Sequence, residues 1–173
     1  KTKVIFISHI TSMTALKFPI EEIIKFGKEN NILTIIDGAH APGHIPLNLK
    51  KLDPDIYTGA CHKWMCSPKG VSFLYVKKNL QEKIHPLVIS WGWKNELSNT
   101  SRFLDWHQWQ GTRDMSAFLT IPTVIKFLEK NNWTHISSNC KNLVINTRRK
   151  ILEYLDIDPL CPDSWLGQMA SIP

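Results

Sequence analysis

The sequence predicts an α/β protein in which a parallel sheet is flanked by helices. Two observations carry this expectation. Ile32-Leu33-Thr34-Ile35-Ile36 is a continuous apolar run rich in β-branched residues, the pattern of a strand buried on both faces. Short apolar runs also alternate with a segment of helical period: Val4 to Ile7 comes first, then Ile20, Ile23, Ile24 and Phe26, then Ile32 to Ile36.

Taken in order, Val4 to Ile7 forms the first strand and ends in polar Ser8-His9. Pro19 opens the first helix and Asn30-Asn31 stop it. After the second strand, Gly38 and Pro42-Gly43 mark a loop, and a helical turn is expected near Leu47 to Leu52. Asp55 to Thr58 reads as a short strand and Gly70 to Val76 as a further one, followed by a short helix or turn over Lys77 to Lys83. From Ser90 to Gln110 the chain is Trp-rich and shows no regular pattern. Ser116 is expected to cap a helix carrying Phe118, Leu119, Ile121, Val124, Ile125 and Leu128, with Pro122 near its first turn or kinking it. A longer amphipathic helix runs from about Trp133 to Tyr154. Asp158-Pro159 and Cys161-Pro162 then punctuate a boundary, dividing residues 1–157 from a second unit that starts in 158–173.

With 173 residues, 43% of them hydrophobic, the chain can bury a sizeable core. Its apolar stretches fall far short of the roughly 20 residues of a membrane helix, and its amino terminus has no signal-peptide pattern. The chain starts on a strand without Met, so both ends are expected to be cuts from a longer protein. The four cysteines show no CxxC spacing, and reduced, cytoplasmic thiols are the default expectation. The net charge of +6 is scattered, and its densest run, Arg148-Arg149-Lys150, reads as a solvated helix face and not as a nucleic-acid surface.

Asp37 stands directly after a buried strand, at the sheet edge where ligands gather in open parallel sheets. Lys63 closely follows the Asp55 to Thr58 strand and can reach the same edge. Alone, either residue would be an ordinary turn or surface group. Together they suit pyridoxal 5'-phosphate (PLP), whose aldehyde takes a lysine amine and whose pyridine nitrogen needs a carboxylate to stay protonated. A lysine attacks only as the neutral amine, a form that a buried rim would favour. Cys61, Cys66, His40, His44 and His62 supply zinc-type donors, but their spacing fits no standard zinc pattern.

Three motifs occur in order: Asp37-Gly38-Ala39-His40-Ala41, then Gly59-Ala60-Cys61-His62-Lys63-Trp64, then Ser67-Pro68-Lys69-Gly70. They resemble the class V aminotransferase family of PLP enzymes, and most closely its isopenicillin N epimerase-like members, as does Trp109-Gln110-Gly111-Thr112-Arg113-Asp114. The resemblance implies the later half of a fold type I large domain, a three-layer α/β/α sheet, with the start of a small C-terminal α+β domain after about Asp158. It implies that Lys63 holds PLP as a Schiff base and moves the substrate's α-proton, and that Asp37 pairs with the pyridine nitrogen. His40 would bond the phenolic oxygen and His62 would lie near the phosphate. Thr112 would reach the phosphate of a cofactor in the neighbouring subunit of a homodimer. Ala60 stands where desulfurases of the family carry a serine, and Thr58 is a candidate replacement. The implied activity is epimerisation at the α-carbon of a small amino-acid substrate. Cysteine desulfuration, transamination and a noncatalytic fragment are the alternatives.

Overall fold

The structure is a computed structural model that describes residues 1–94 and 101–173. Its sheet holds β1 (Val4–Ser8), β2 (Leu33–Gly38), β3 (Ile56–Ala60) and β4 (Ser72–Val76) in that spatial order. β1, β2 and β3 run parallel, with Val4 opposite Leu33 and Asp37 opposite Thr58. β4 runs antiparallel to β3, so the expected all-parallel sheet carries one reversed edge strand. The reason is the connection: a parallel return needs a crossover of about a dozen residues or more, usually a helix. The Cys61 to Val71 segment instead folds into turns and contains no helix.

The strand alternation separates two apolar faces. On one, Ile20 and Ile24 of α1 (Ile20–Glu29) pack on Ile36 and Tyr57, with Ala41 closing the cluster. On the other, Ile56 and Val76 meet Phe103, with Ile35, Leu80 and Ile84 around them. Phe103 belongs to α3 (Arg102–Gln108), so the sheet lies between helical layers as expected. Each fully buried Ile stabilises such an arrangement by about 1.5–3 kcal/mol. α3 arises inside the Trp-rich stretch that showed no pattern, where Trp106 stacks on Trp93 with ring centroids 4.8 Å apart. Positions 95–100 of that stretch lie outside the described residues.

The loop after β2 leads into the short α2 (Leu49–Leu52), capped by Asn48, whose side chain accepts from the Lys51 N–H at 2.9 Å. The helix expected from Ser116 is two: α4 (Ser116–Leu119) and α5 (Ile121–Lys130). Pro122 lies in the first turn of α5, and its missing N–H cannot continue α4. Ser116 is also not the cap. Asp114 Oδ1 accepts the Ser116 N–H at 2.8 Å, and Ser116 is the first helical residue. α6 (Trp133–Leu155) follows as expected. The remaining chain turns back over the start of the protein, where the Lys17 N–H donates to the Trp165 carbonyl at 2.7 Å and Leu166 is buried.

Two buried histidines give this fold a pH dependence. His9 Nδ1 bonds the Tyr57 hydroxyl at 2.8 Å, and burial brings its pKa down from 6.5 to about 4. His44 is likewise lowered to about 4, again mainly by burial. The unfolded chain takes up protons at these sites near pH 6.5 while the folded chain holds off until about pH 4. Stability is therefore full above pH 6.5, is lost as pH falls from 6.5 to 4, and levels off below. At about 1.4 kcal/mol per pH unit per group, the loss amounts to a few kcal/mol for each histidine. Urea unfolding across this range checks the slope, which is expected to weaken in a His9→Gln variant.

Candidate active site

The carboxyl ends of β2 and β3 build the site. Asp37 sits between Ser8 of β1 and Thr58 of β3 in the sheet register. Its Oδ1 accepts the Ala39 N–H at 3.0 Å, which turns the chain sharply after the strand and carries His40 over the sheet edge. Among the described residues nothing bonds its other oxygen, Oδ2. β3 ends at Ala60, and the chain closes a tight loop there: the Cys61 N–H donates to the Val71 carbonyl at 2.9 Å, and Cys66 takes a left-handed φ of 63°. Lys63 stands at the tip of this loop.

The two loops meet side chain to side chain. Lys63 Nζ lies 3.0 Å from His40 Nε2, and the indole N–H of Trp64 donates to His40 Nδ1 at 3.3 Å. Burial, and secondly the lysine's charge, hold the His40 pKa below its ordinary value, while the Asp37 charge opposes them. Asp37, His40 and Lys63 thus share one neighbourhood. Lys63 itself is exposed, so the expectation that a buried rim desolvates it is not met within this chain. What touches it is an imidazole.

His62 donates from Nδ1 to the Val71 carbonyl at 2.9 Å, because a carbonyl can only accept. Its Nε2 is left for other partners. Thr112 is exposed on the turn before α4, where Gly111 has a φ of 95°, and makes no hydrogen bond to Asp37, His40, His62 or Lys63. The described chain therefore does not bring Thr112 to the others.

Two members of the site carried no clear signal in the sequence. The Trp64 ring stacks on His44 with centroids 4.0 Å apart at 26°, and His44 Nδ1 donates to the His40 carbonyl at 2.9 Å. Gly43 keeps this contact close: its φ is 77°, and a Cβ there would come within 2.5 Å of the Trp64 carbonyl oxygen. Trp64 appeared only as the end of a motif and His44 only as a metal donor that fitted no pattern. A groove of about 1090 Å³ lies elsewhere, between α1, Ile45 to Leu52 and the start of α6, and none of Asp37, His40, His62 and Lys63 lines it. It is wide and open, whereas the chemistry sits on the loops at the sheet edge.

Residues 1–164 match the family model described as aminotransferase class-V. The chain belongs to that family. It is 29% identical over 172 residues to the isopenicillin N epimerase of Amycolatopsis lactamdurans, covering 94% of this chain and 43% of that protein. It is 37% identical over 125 residues to a hercynylcysteine sulfoxide lyase of Schizosaccharomyces pombe, covering 68% of this chain and 31% of that one. In structure it resembles the apo cysteine desulfurase of Thermococcus onnurineus, with a TM-score of 0.78 and 20% identity over 96% of this chain and 42% of the other. This last likeness shows the fold: the three-layer α/β/α sheet is that of a class V large domain. The chain spans less than half the length of these relatives. Class V enzymes are PLP-dependent, and the donor set here fits that group in kind: a lysine amine, an imidazole against it, and a carboxylate with one oxygen unbonded among the described residues.

Proposed function

We propose that this chain is the cofactor-holding part of a PLP-dependent enzyme that acts at the α-carbon of a small amino-acid substrate as an amino-acid epimerase. The observation that carries this is the 3.0 Å contact between Lys63 and His40 at the sheet edge where Asp37 also ends its strand. When bound, PLP supplies a protonated pyridine ring that draws electrons from the carbon bearing the substrate's amino group. Asp37 Oδ2 would hold the pyridine proton, since Oδ1 is already engaged by the Ala39 N–H. Lys63 Nζ would hold the cofactor's aldehyde carbon and, once released, move the α-proton. His40 would donate to the phenolic oxygen. His62 would face the phosphate through Nε2, its Nδ1 being occupied by Val71.

The parent protein is proposed to be a cytoplasmic homodimer in which Thr112 serves the phosphate of the partner's site. The exposure of Thr112 and its lack of contact with the Lys63 cluster support this. Among the described residues no helix is long and apolar enough to cross a membrane. The segment from 158 onward is proposed as the beginning of a small C-terminal domain.

The likeness to the sulfoxide lyase, 37% identical, favours a second reading in which the same residues serve C–S bond cleavage. Incubation of the PLP-loaded full-length protein with L-amino acids in D₂O separates the two. Epimerisation is expected to give the D-enantiomer with deuterium at the α-carbon. Release of sulfide or persulfide from L-cysteine with no D-enantiomer from any substrate would establish the second reading instead. A protein that takes up no PLP at all would be a noncatalytic relative.

A further inference from the structure

We propose that Gln168 is a positioning residue for the site: through His44 it holds the loop that carries His40 against the loop that carries Lys63. Its effect on the cofactor rests on the reading of Lys63 as the PLP lysine, whereas the mechanical link from the tail to the two loops does not.

Three segments meet at His44. Its Nδ1 donates to the His40 carbonyl at 2.9 Å, which ties it to the first loop. Its ring stacks on Trp64, the neighbour of Lys63, with centroids 4.0 Å apart at 26°, which ties it to the second. Its Nε2 accepts the Gln168 N–H, which ties it to the tail. A carbonyl only accepts and a backbone N–H only donates, so these bonds require a neutral ring with its proton on Nδ1. Burial keeps the ring in that form, its pKa lying down at about 4. None of these contacts depends on the charge of Lys63.

The tail reaches His44 from a fixed base. Arg148 of α6 is 4% exposed and donates to the Cys161 carbonyl at 3.0 Å and to Asp163 Oδ1 at 2.7 Å. Buried Leu166 then leads to Gly167, where a Cβ would stand 2.3 Å from His44 Nε2, so a residue without a side chain lets the backbone come this close. Gln168 follows, and its Nε2 donates to the Gly43 and His44 carbonyls at 3.2 and 2.8 Å. Those two residues lie in turns, where no helix or strand ladder supplies donors, and the Gln168 amide serves both. Release of the tail frees His44 to turn, and with it the surface on which Trp64 is seated beside Lys63.

The test compares the full-length protein with Gln168→Ala under conditions where urea titration shows both to be folded. In the cofactor-free protein the indole ¹H–¹⁵N resonance of Trp64, assigned through Trp64→Phe, is expected to move in Gln168→Ala because the ring it stacks on shifts. The PLP dissociation constant is expected to rise about 3- to 10-fold, the worth of one hydrogen bond. Coupling is reciprocal, so loading the wild type with PLP is expected to slow hydrogen exchange at the Gln168 N–H by a similar factor. A Gln168 that only supports the fold would lower the urea midpoint and leave PLP affinity and exchange where they were. That pattern, or an unmoved Trp64 resonance in a folded variant, would overturn the proposal. If Gln168→Ala fails to fold, exchange in the loaded and empty wild type decides alone. PLP mapped to another lysine would end the functional reading, while a shifted Trp64 resonance would still establish the link from tail to loops.

Discussion

Replacing Lys63 with alanine is expected to abolish the visible absorbance of the PLP-loaded protein and to lower turnover by at least about 10³-fold. Two losses combine. The amine that would hold the cofactor's aldehyde disappears, and so does the base that would move the α-proton, itself worth about 10²–10⁴-fold. The fold is expected to survive, because Lys63 is exposed and, among the described residues, its side chain bonds only His40. An unchanged urea midpoint beside lost colour and turnover therefore identifies a chemical role. A Lys63→Ala protein that keeps its visible band would remove Lys63 from the site.

For Asp37→Asn the expected result is a folded, PLP-binding protein whose turnover falls by about 10²–10³-fold. The amide oxygen of asparagine can still accept the Ala39 N–H that shapes the turn after β2, so local structure persists. What the variant loses is the negative charge. Opposite charges near 4 Å at a protein surface attract by about 4 kcal/mol at an effective dielectric of 20. An amide replaces this with a dipole that cannot hold the pyridine proton, and the electron sink weakens. Steady-state kinetics with parallel unfolding curves checks the result, and turnover equal to wild type would rule out the role.

Much of this was readable in the sequence because continuous apolar runs and helical periods survive folding unchanged. Ile32 to Ile36 became β2, and the polar residue that ends the run, Asp37, fell at the strand's carboxyl end. Strand direction was less accessible. The pattern of Ser72 to Val76 is the same in either sense, and only the lack of a helix between Cys61 and Val71 argued for reversal. α3 was hidden because it is short and buries only Phe103 and Trp106, the latter stacked on Trp93, too few positions to show a repeating apolar stripe. Ser116, expected as the cap, proved to be the first helical residue, and the acceptor of its N–H is Asp114, two residues earlier. The exposure of Lys63 could not be deduced, since burial depends on which segments cover a loop. His44 and Trp64 meet across a turn that only a positive φ at Gly43 permits, so neither residue announces the other in sequence.

The central claim is that Lys63 is the residue that binds the cofactor. Borohydride reduction of the PLP-loaded protein, followed by proteolysis and mass mapping, tests it most directly. The pyridoxyl mass is expected on the peptide carrying His62-Lys63-Trp64, at Lys63. Finding it on Lys69 or Lys17, with Lys63 unmodified, would contradict the account.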